Sequence, residues 1–552
     1  MSATKQSKVL VLLLFAASVA FLSIPALAQL ADITRTPNSA DQGICKSFTD
    51  QVGAGRGNLS TLNSSLFLIN RDPFRSIRRG RQVFHRKFAR SQGQGPMVQD
   101  GEGPQLDDIH KNAGLGAGLG DSCAICHARP RGSAGFGSDV ATRPDSRDAP
   151  HLFGLGLKEM LADEITTDLR GIRKQAILQA QQTNQIVTKP LNSKGINYGQ
   201  ITATPNGSVN YSQVQGVDVP SLRIRPFFLH GATISIREFV NGAFQNEMGL
   251  QAVDPDTTAA AAGATVTTPS GMVLNGSQDT IEKPPTDNPN ADPDGDGVAN
   301  EIPLSIVDFM EHYLLNYFAA GTYQPDITAN DGRALFISIG CAQCHVPDLQ
   351  INRDRRVASF ETKYDPTNGN PFNHLFGTHT ALFNVIQDPP FPPLKKPKLQ
   401  PFLVKDIYTD FKRHDLGPNF HEINYDGSVR TEFLTMALHG VGTTAPYGHD
   451  GRSQNLIEVI LRHGKEAQDS RDKFIDLSLT LRNKVLTFLS SLVLFPPDDT
   501  ASTLNGINPN CNTIDQTRCQ AFTPPFGTVS FPQCGHGGFK LSALFNNPND
   551  AE

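Results

Sequence analysis

The sequence predicts a mainly α-helical protein assembled from two copies of one helical domain. Three observations predict it. A Cys-x-x-Cys-His motif occurs twice, at Cys123–His127 and Cys341–His345, an offset of 218 residues. A second pair of segments, around His230 and His449, repeats at an offset of 219, with Glu238 and Glu458 at 220. Near-constant offsets mark an internal duplication. Each copy then closes in a stretch whose apolar residues recur on a helical period. Ile306, Phe309, Met310, Tyr313 and Leu314 share a face of the span 302–318, and Leu481, Val485, Phe488 and Leu489 a face of the span 477–492.

The 552-residue chain opens on Lys5 and Lys8, an apolar run from Val9 to Leu22, and the small-x-small triplet Ala26-Leu27-Ala28. That is the pattern of a cleaved export signal, so residues 1–28 are expected to be removed and the mature chain to begin near Gln29. The alternative is an uncleaved anchor, but the run falls short of the ~20 apolar residues of a spanning helix. The expectation is a periplasmic protein with no stable membrane span after cleavage. An N-terminal extension covers 29–75, the first domain 76–325, the second 326–497, and a Cys-containing tail 498–552. The closing helices lie only 179 residues apart (Phe309 to Phe488) because the first copy holds an Ala/Thr/Pro/Asn-rich insertion, 253–297, which reads as a loop. With 38% hydrophobic and 19% charged residues the chain is globular, and a net charge of −5 offers no basic face for nucleic acid.

Four of the eight cysteines lie in the two motifs. This spacing attaches haem c: both thiols bond to the porphyrin edge and the adjacent His ligates iron from one turn. A zinc site drawing on all four thiolates would need Cys pairs about 15–20 residues apart, not 218. A redox-active Cys-x-x-Cys pair explains neither the His nor the duplication. Similar helix signals precede the motifs, Gly80–Phe84 at a distance and Gly332–Phe336 directly. Two covalently bound haem c groups are therefore expected, held by Cys123, Cys126 and His127 and by Cys341, Cys344 and His345, in two cytochrome-c-like domains with long loops. Cys45, Cys511, Cys519 and Cys534 are expected to form two disulfides in an oxidising compartment, their pairing open.

The duplication makes a chemical statement about each iron. His463 follows Glu458 by five residues, on the side that supplies a second axial ligand, and can complete a six-coordinate electron-transfer haem. At offset 220 the first copy carries Ala243, which has no lone pair to offer, so the first iron is expected to keep an open sixth position. Glu247, four residues on, would sit over that open face if the segment is helical. His151, 24 residues after His127, is a rival candidate for the same position. Asp292, Asp294 and Asp296, with Gly297, match positions 1, 3, 5 and 6 of a calcium loop. Position 12 is Pro303, although Glu301 lies nearby; an Asp/Gly-rich turn is the alternative. The cluster from Arg75 to Arg90 reads as a solvated face or as a patch for an acidic partner.

These residues resemble the di-haem oxidoreductase (thiol-oxidoreductase-like) family, which is related to the bacterial di-haem cytochrome c peroxidases. Thr444–Arg452 resembles the segment after the second motif, and Phe227–Gly231 through Asn246–Gly249 the distal-pocket segment of the first domain. The resemblance covers residues 80–497. It implies a peroxidatic first haem, an electron-relay second haem and a domain interface that often holds calcium. It also implies acid–base work for Glu247, peroxide or another small oxidant as substrate, and a redox partner such as a small cytochrome or cupredoxin. The sequence departs from the peroxidase pattern at Phe239, where a Gln is usual, and at Leu229, where a Trp between the haems is usual; the chain has no Trp. A di-haem electron carrier and an oxidase of a thiol or protein substrate stay open as alternatives.

Overall fold

Two pairs of tightly crossed helices organise the protein. The computed structural model describes residues 48–95, 120–127, 139–140, 147–319, 321–322, 327–364, 375–423 and 427–493. The export segment 1–28, the tail 498–552 and four of the cysteines (Cys45, Cys511, Cys519 and Cys534) lie outside the described residues. In chain order the helices are α1 (Phe48–Val52), α2 (Ser65–Arg71), α3 (Pro73–His85), α4 (Leu155–Thr183), α5 (Ile236–Met248), α6 (Pro255–Ala261), α7 (Leu304–Asn316), α8 (Ile327–Ser338), α9 (Leu456–Arg462), α10 (Gln468–Asp476) and α11 (Leu479–Ser491).

The helix signals ahead of the two motifs fall on α3 and α8, and each packs on its closing helix through a glycine. A Cβ on Gly80 would collide with the Phe309 carbonyl of α7, and one on Gly332 with the Lys484 carbonyl of α11. Only glycine lets the backbones approach this closely. α3 begins at Pro73, where Asp72 caps it by accepting from the Arg75 N–H (3.3 Å). The boundary expected at 75/76 therefore falls inside a helix. Arg79 and Arg86 of the basic cluster turn inward: Arg79 lies over Phe309 and donates to Asn63, and Arg86 donates to Gln51. The cluster is thus only partly a solvated face.

The duplication is visible in detail. Phe227 pairs with Thr233 and Tyr447 with Ser453 in matching bridges. Ser235 caps α5 by accepting from Glu238 N–H (3.1 Å), and Asn455 caps α9 by accepting from Glu458 N–H (3.0 Å). Each Glu reaches back to the N–H four residues before it, Ile234 (2.8 Å) and Gln454 (2.6 Å). These are reciprocal caps of one design, and every pair keeps the offset of 220.

The mainly helical expectation holds only in part. A three-stranded antiparallel sheet (Val187–Ser193, Ile196–Ala203, Val209–Val214) follows α4, and short two-stranded ladders fill the stretch between the second motif and α9. The insertion is not a plain loop either. Asp254 and Pro255 start α6, a hairpin (Thr265–Thr267 with Val273–Asn275) follows, and Ala260, Leu274 and Ile281 close a small core on Ile234. An Ala/Thr-rich helix start and three-residue strands carry too little periodicity to stand out. The main core joins α3, α4, α5 and α7 to Leu349, Ile351, Val404 and Ile407 of the second copy, and a smaller core lies under α8, α10 and α11.

α7 is buried on every side, including its charges. Arg237, in the first turn of α5, has no exposed side-chain surface and pairs with Asp254 (2.8 Å), Asp308 (3.0 Å) and Glu311 (3.0 Å). Arg56 joins it by bridging Asp256 (2.7 Å) and Asp308 (2.6 Å). Burial alone would raise the Asp254 carboxyl, but the Arg237 guanidinium overrides it and holds it below the ordinary value. Removing one partner strands buried charge. Arg237→Met is expected to lower the unfolding free energy by about 3–5 kcal/mol, and Gly332→Ala by about 1–3 kcal/mol from overpacking at the crossing, both read from denaturant titrations.

Candidate functional site

Each motif folds as one tight turn. Cys123–Ile125 and Cys341–Gln343 are single 3-10 turns, and the His127 and His345 N–H groups donate back to the Cys123 (3.1 Å) and Cys341 (3.0 Å) carbonyls. Both thiols and the imidazole of a motif therefore face one side. There each lines a cavity, about 190 Å³ at the first motif and 290 Å³ at the second.

The imidazoles are set for a metal. His127 Nδ1 meets the Pro150 carbonyl at 2.7 Å, and His345 Nδ1 the Tyr408 carbonyl at 3.1 Å. A ring nitrogen that donates to a carbonyl leaves Nε2 unprotonated for a metal. The four thiols form no disulfide. Burial pushes Cys123 up to about 12, Cys341 up to about 12, and, with Glu247 nearby, Cys126 up to about 11. Redox-active pairs need a lowered thiol pKa, so this environment speaks against that reading. Paired thiols on a largely apolar cavity beside a metal-ready His fit a porphyrin in both places.

The far walls differ. α5 runs along the first cavity and presents Phe239, Ala243 and Glu247, spaced one turn apart. The Glu247 carbonyl accepts from Gly120 N–H (3.3 Å), tying α5 to the segment just before the motif. In the second cavity α9 stops at Arg462, so the residue at offset 220 from Ala243, His463, sits at the helix end and lines the cavity with His345. His463 Nδ1 is 2.7 Å from the Val459 carbonyl, and its ring meets Phe420 edge-on at 5.3 Å. Arg462 stacks over Phe420 and pairs with Asp450 (2.7 Å), fixing the turn. Burial lowers the His463 pKa, which keeps the imidazole neutral.

His151 is engaged elsewhere. Its Nδ1 accepts from Phe153 N–H (3.2 Å), so its Nε2–H donates to the His439 carbonyl (3.0 Å). Neither nitrogen has a lone pair left for iron, which argues against the rival reading of His151. It belongs instead to the wall between the cavities, where Pro150, Leu229, Thr435, Met436 and Ala437 also line both. Leu229, at the place of the expected Trp, accepts from Leu434 N–H (2.9 Å) across this wall. His230 and His449, the repeat pair, line the first and second cavities; His449 stacks on Phe433 (4.1 Å) and meets Glu422 (3.2 Å).

Three residues here carried no readable signal. Lys158 is buried in the shared wall, and His439 and His414 line the second cavity. His414 bridges Asp410 (2.9 Å) and Glu466 (2.7 Å), and it forms with Asp410 and Cys344 a group of possible metal ligands at the edge of the second motif. None lies at a fixed spacing from either motif. Asp292, Asp294 and Asp296 converge within 4.8 Å of one another, lining neither cavity.

Residues 376–492 match the family described as "Di-haem oxidoreductase, putative peroxidase". Over these residues the chain is similar to the di-haem oxidoreductases. That match supports haem as the group the two cavities would hold. No curated protein matches it. Among solved structures it is similar to a Kuenenia stuttgartiensis hydrazine synthase, at 13% identity and a TM-score of 0.20, covering 34% of this chain and 55% of that one. The chain thus spans about half the length of that relative. It is also similar to a MauG-like protein associated with microbial copper homeostasis, at 13% identity and a TM-score of 0.21, covering 61% of this chain and 87% of that one. Among the described residues no helix is long and apolar enough to cross a membrane.

Because both His151 nitrogens are occupied, His151→Leu is expected to leave the ferric spin state of the first haem unchanged in electron paramagnetic resonance. A loss of low-spin signal in that variant would make His151 an axial ligand.

Proposed function

We propose that the protein is a periplasmic di-haem c-type oxidoreductase of peroxidase type, with an open first haem fed by a six-coordinate second haem. The observation that carries this reading is the asymmetry at offset 220, Ala243 in one cavity and His463 in the other, on the same repeated frame. The haems, attached through Cys123 and Cys126 and through Cys341 and Cys344, supply the electron chemistry when bound. His127 and His345 would hold the two irons, and His463 would hold the second as well and so close it to substrate.

The chain's own residues supply the rest. Ala243 leaves room on the distal face of the first cavity. Glu247, the carboxylate on that face of α5, takes a proton from incoming peroxide and returns it to the oxygen that leaves as water, which is general acid–base work. His127 is hydrogen-bonded to Pro150, His151 follows Pro150, and His151 donates to the carbonyl of His439 in the second cavity. That chain of contacts supports transfer between the haems without a Trp. The electron donor is a small exported redox protein, a cytochrome or cupredoxin, a reading that rests on the export signal and on the family resemblance. The apolar distal wall, where Phe228 packs on Phe239 (5.2 Å), favours a second reading. In it the same haems serve a di-haem electron carrier, or an oxidase of a thiol or protein substrate.

The ferric protein is expected to give one high-spin and one low-spin resonance signal, and His463→Ala to convert the low-spin one. Two low-spin signals that persist after half-reduction would overturn the open-site reading. Glu247→Gln is expected to lower peroxide turnover about 10²–10⁴-fold with both haem spectra intact; unchanged turnover would remove Glu247 from the chemistry.

A further inference from the structure

The strap between α6 and α7 crowds four carboxylates into one place. Asp292, Asp294 and Asp296 form the first part of a calcium-type loop, with Gly295 and Gly297 at positive φ (75° and 91°) to make its turns. Asp292 accepts from Gly295 N–H (2.8 Å) and Gly297 N–H (2.9 Å), so the loop is preformed. An acidic turn alone is common and binds nothing. Here two further side chains, each 3% exposed, come to it from the protein body. Glu301 accepts from Gln251 N–H with one oxygen (2.8 Å), and its other oxygen, Oε1, is buried with no partner. The Gln251 side chain hydrogen-bonds Asp294, and its Oε1 is likewise buried and unpartnered. Two stranded acceptors beside three aspartates lack a cation, not a donor. A buried acceptor left unpaired is unfavourable, so the arrangement is costly unless filled.

We infer that Asp292, Asp294, Asp296, Glu301 and the Gln251 amide oxygen form a Ca²⁺ site that straps down the C-terminal end of α5. The donors are all oxygen and irregularly spread, which suits the 6–8 ligands of Ca²⁺ better than the strict octahedron of Mg²⁺. Glu301 supplies the carboxylate that the loop lacks at position 12. The site touches the first cavity only from outside. The Glu301 carboxylate packs against Gly93, where a Cβ would collide with it, and two residues on Gly95 N–H donates to the Met248 carbonyl (3.1 Å). Gln251 follows the end of α5 by three residues. None of the five residues lines the wall shared by the two cavities. A bound cation therefore ties the segment 90–95 and residues 247–251 to one point.

The test is calorimetric titration of chelator-treated, haem-loaded protein with CaCl₂, with MgCl₂ as comparison, and thermal unfolding in Ca²⁺ and in chelator. The expected result is one Ca²⁺ per chain, bound at least tenfold tighter than Mg²⁺, with a higher melting temperature. Glu301→Gln and Asp296→Asn should each weaken binding at least tenfold while keeping the haem absorption and circular dichroism of the parent. No heat and no melting shift in the parent protein would overturn the site. Undiminished binding in both folded variants would place the ion elsewhere and overturn it equally. Hydrogen exchange adds a second readout: protection by Ca²⁺ should rise at 90–95 and 247–251, and protection confined to 292–301 would overturn the strap. None of these readouts depends on peroxide turnover, so the site and the proposed activity stand or fall separately.

Discussion

The fully buried Arg237 guanidinium sets the geometry on which the first cavity depends. It ties the start of α5 to α7 through Asp308 and Glu311 and to the cap of α6 through Asp254. With Arg56 it makes two cations against Asp254, Asp256, Asp308 and Glu311. Burial pushes Glu311 up to about 7, so the cluster can hold a proton near neutral pH and need not carry two excess charges. Glu247 lies ten residues along α5 from Arg237, about 15 Å at 1.5 Å per residue. A helix clamped at its first turn delivers Phe239, Ala243 and Glu247 to one wall at fixed heights. The second copy has no such clamp. At offset 220 from Arg237 stands Ile457, 46% exposed on the surface of α9. α9 is correspondingly short and ends where His463 turns into the cavity.

One frame has thus been kept and one feature changed. The bridges, caps and returning glutamates at offset 220 are the kept frame, made of local contacts that any copy needs to enter its helix. What differs is how long the helix continues and what its last turn offers. α5 runs past Ala243 to Glu247, while α9 stops and exposes an imidazole. The chemical asymmetry between the two cavities therefore follows from the folding asymmetry between the two helices.

This also accounts for what the sequence could and could not reveal. The motifs, the closing helices and the pairing of Ala243 with His463 were legible because local spacing encodes them. The Arg237 cluster was not, because its partners lie 17 to 74 residues away and Arg56 reaches Asp308 across 252. The ladders after the second motif were missed for another reason: strands of two to seven residues show no alternation long enough to read. Glu301 was noticed only as a neighbour of the loop. Its stranded oxygen, and that of Gln251, exist only once the fold has buried them.

The wall between the cavities is where these constraints meet. His151 sits in both linings with its pKa pushed down to about 3 by burial, and His439 is held well below its ordinary value for the same reason. Both are neutral at any physiological pH. Among the described residues that line both cavities, Lys158 is the one cation, pushed down to about 8 by burial. In the proposed reading, a charge that borders both cavities would bias the two irons in the same direction. By itself it would not make one the acceptor and the other the donor that the proposed reading needs. The difference has to come from the far walls, and so from whether a helix clamped by Arg237 brings an alanine and a carboxylate or an unclamped one brings a histidine.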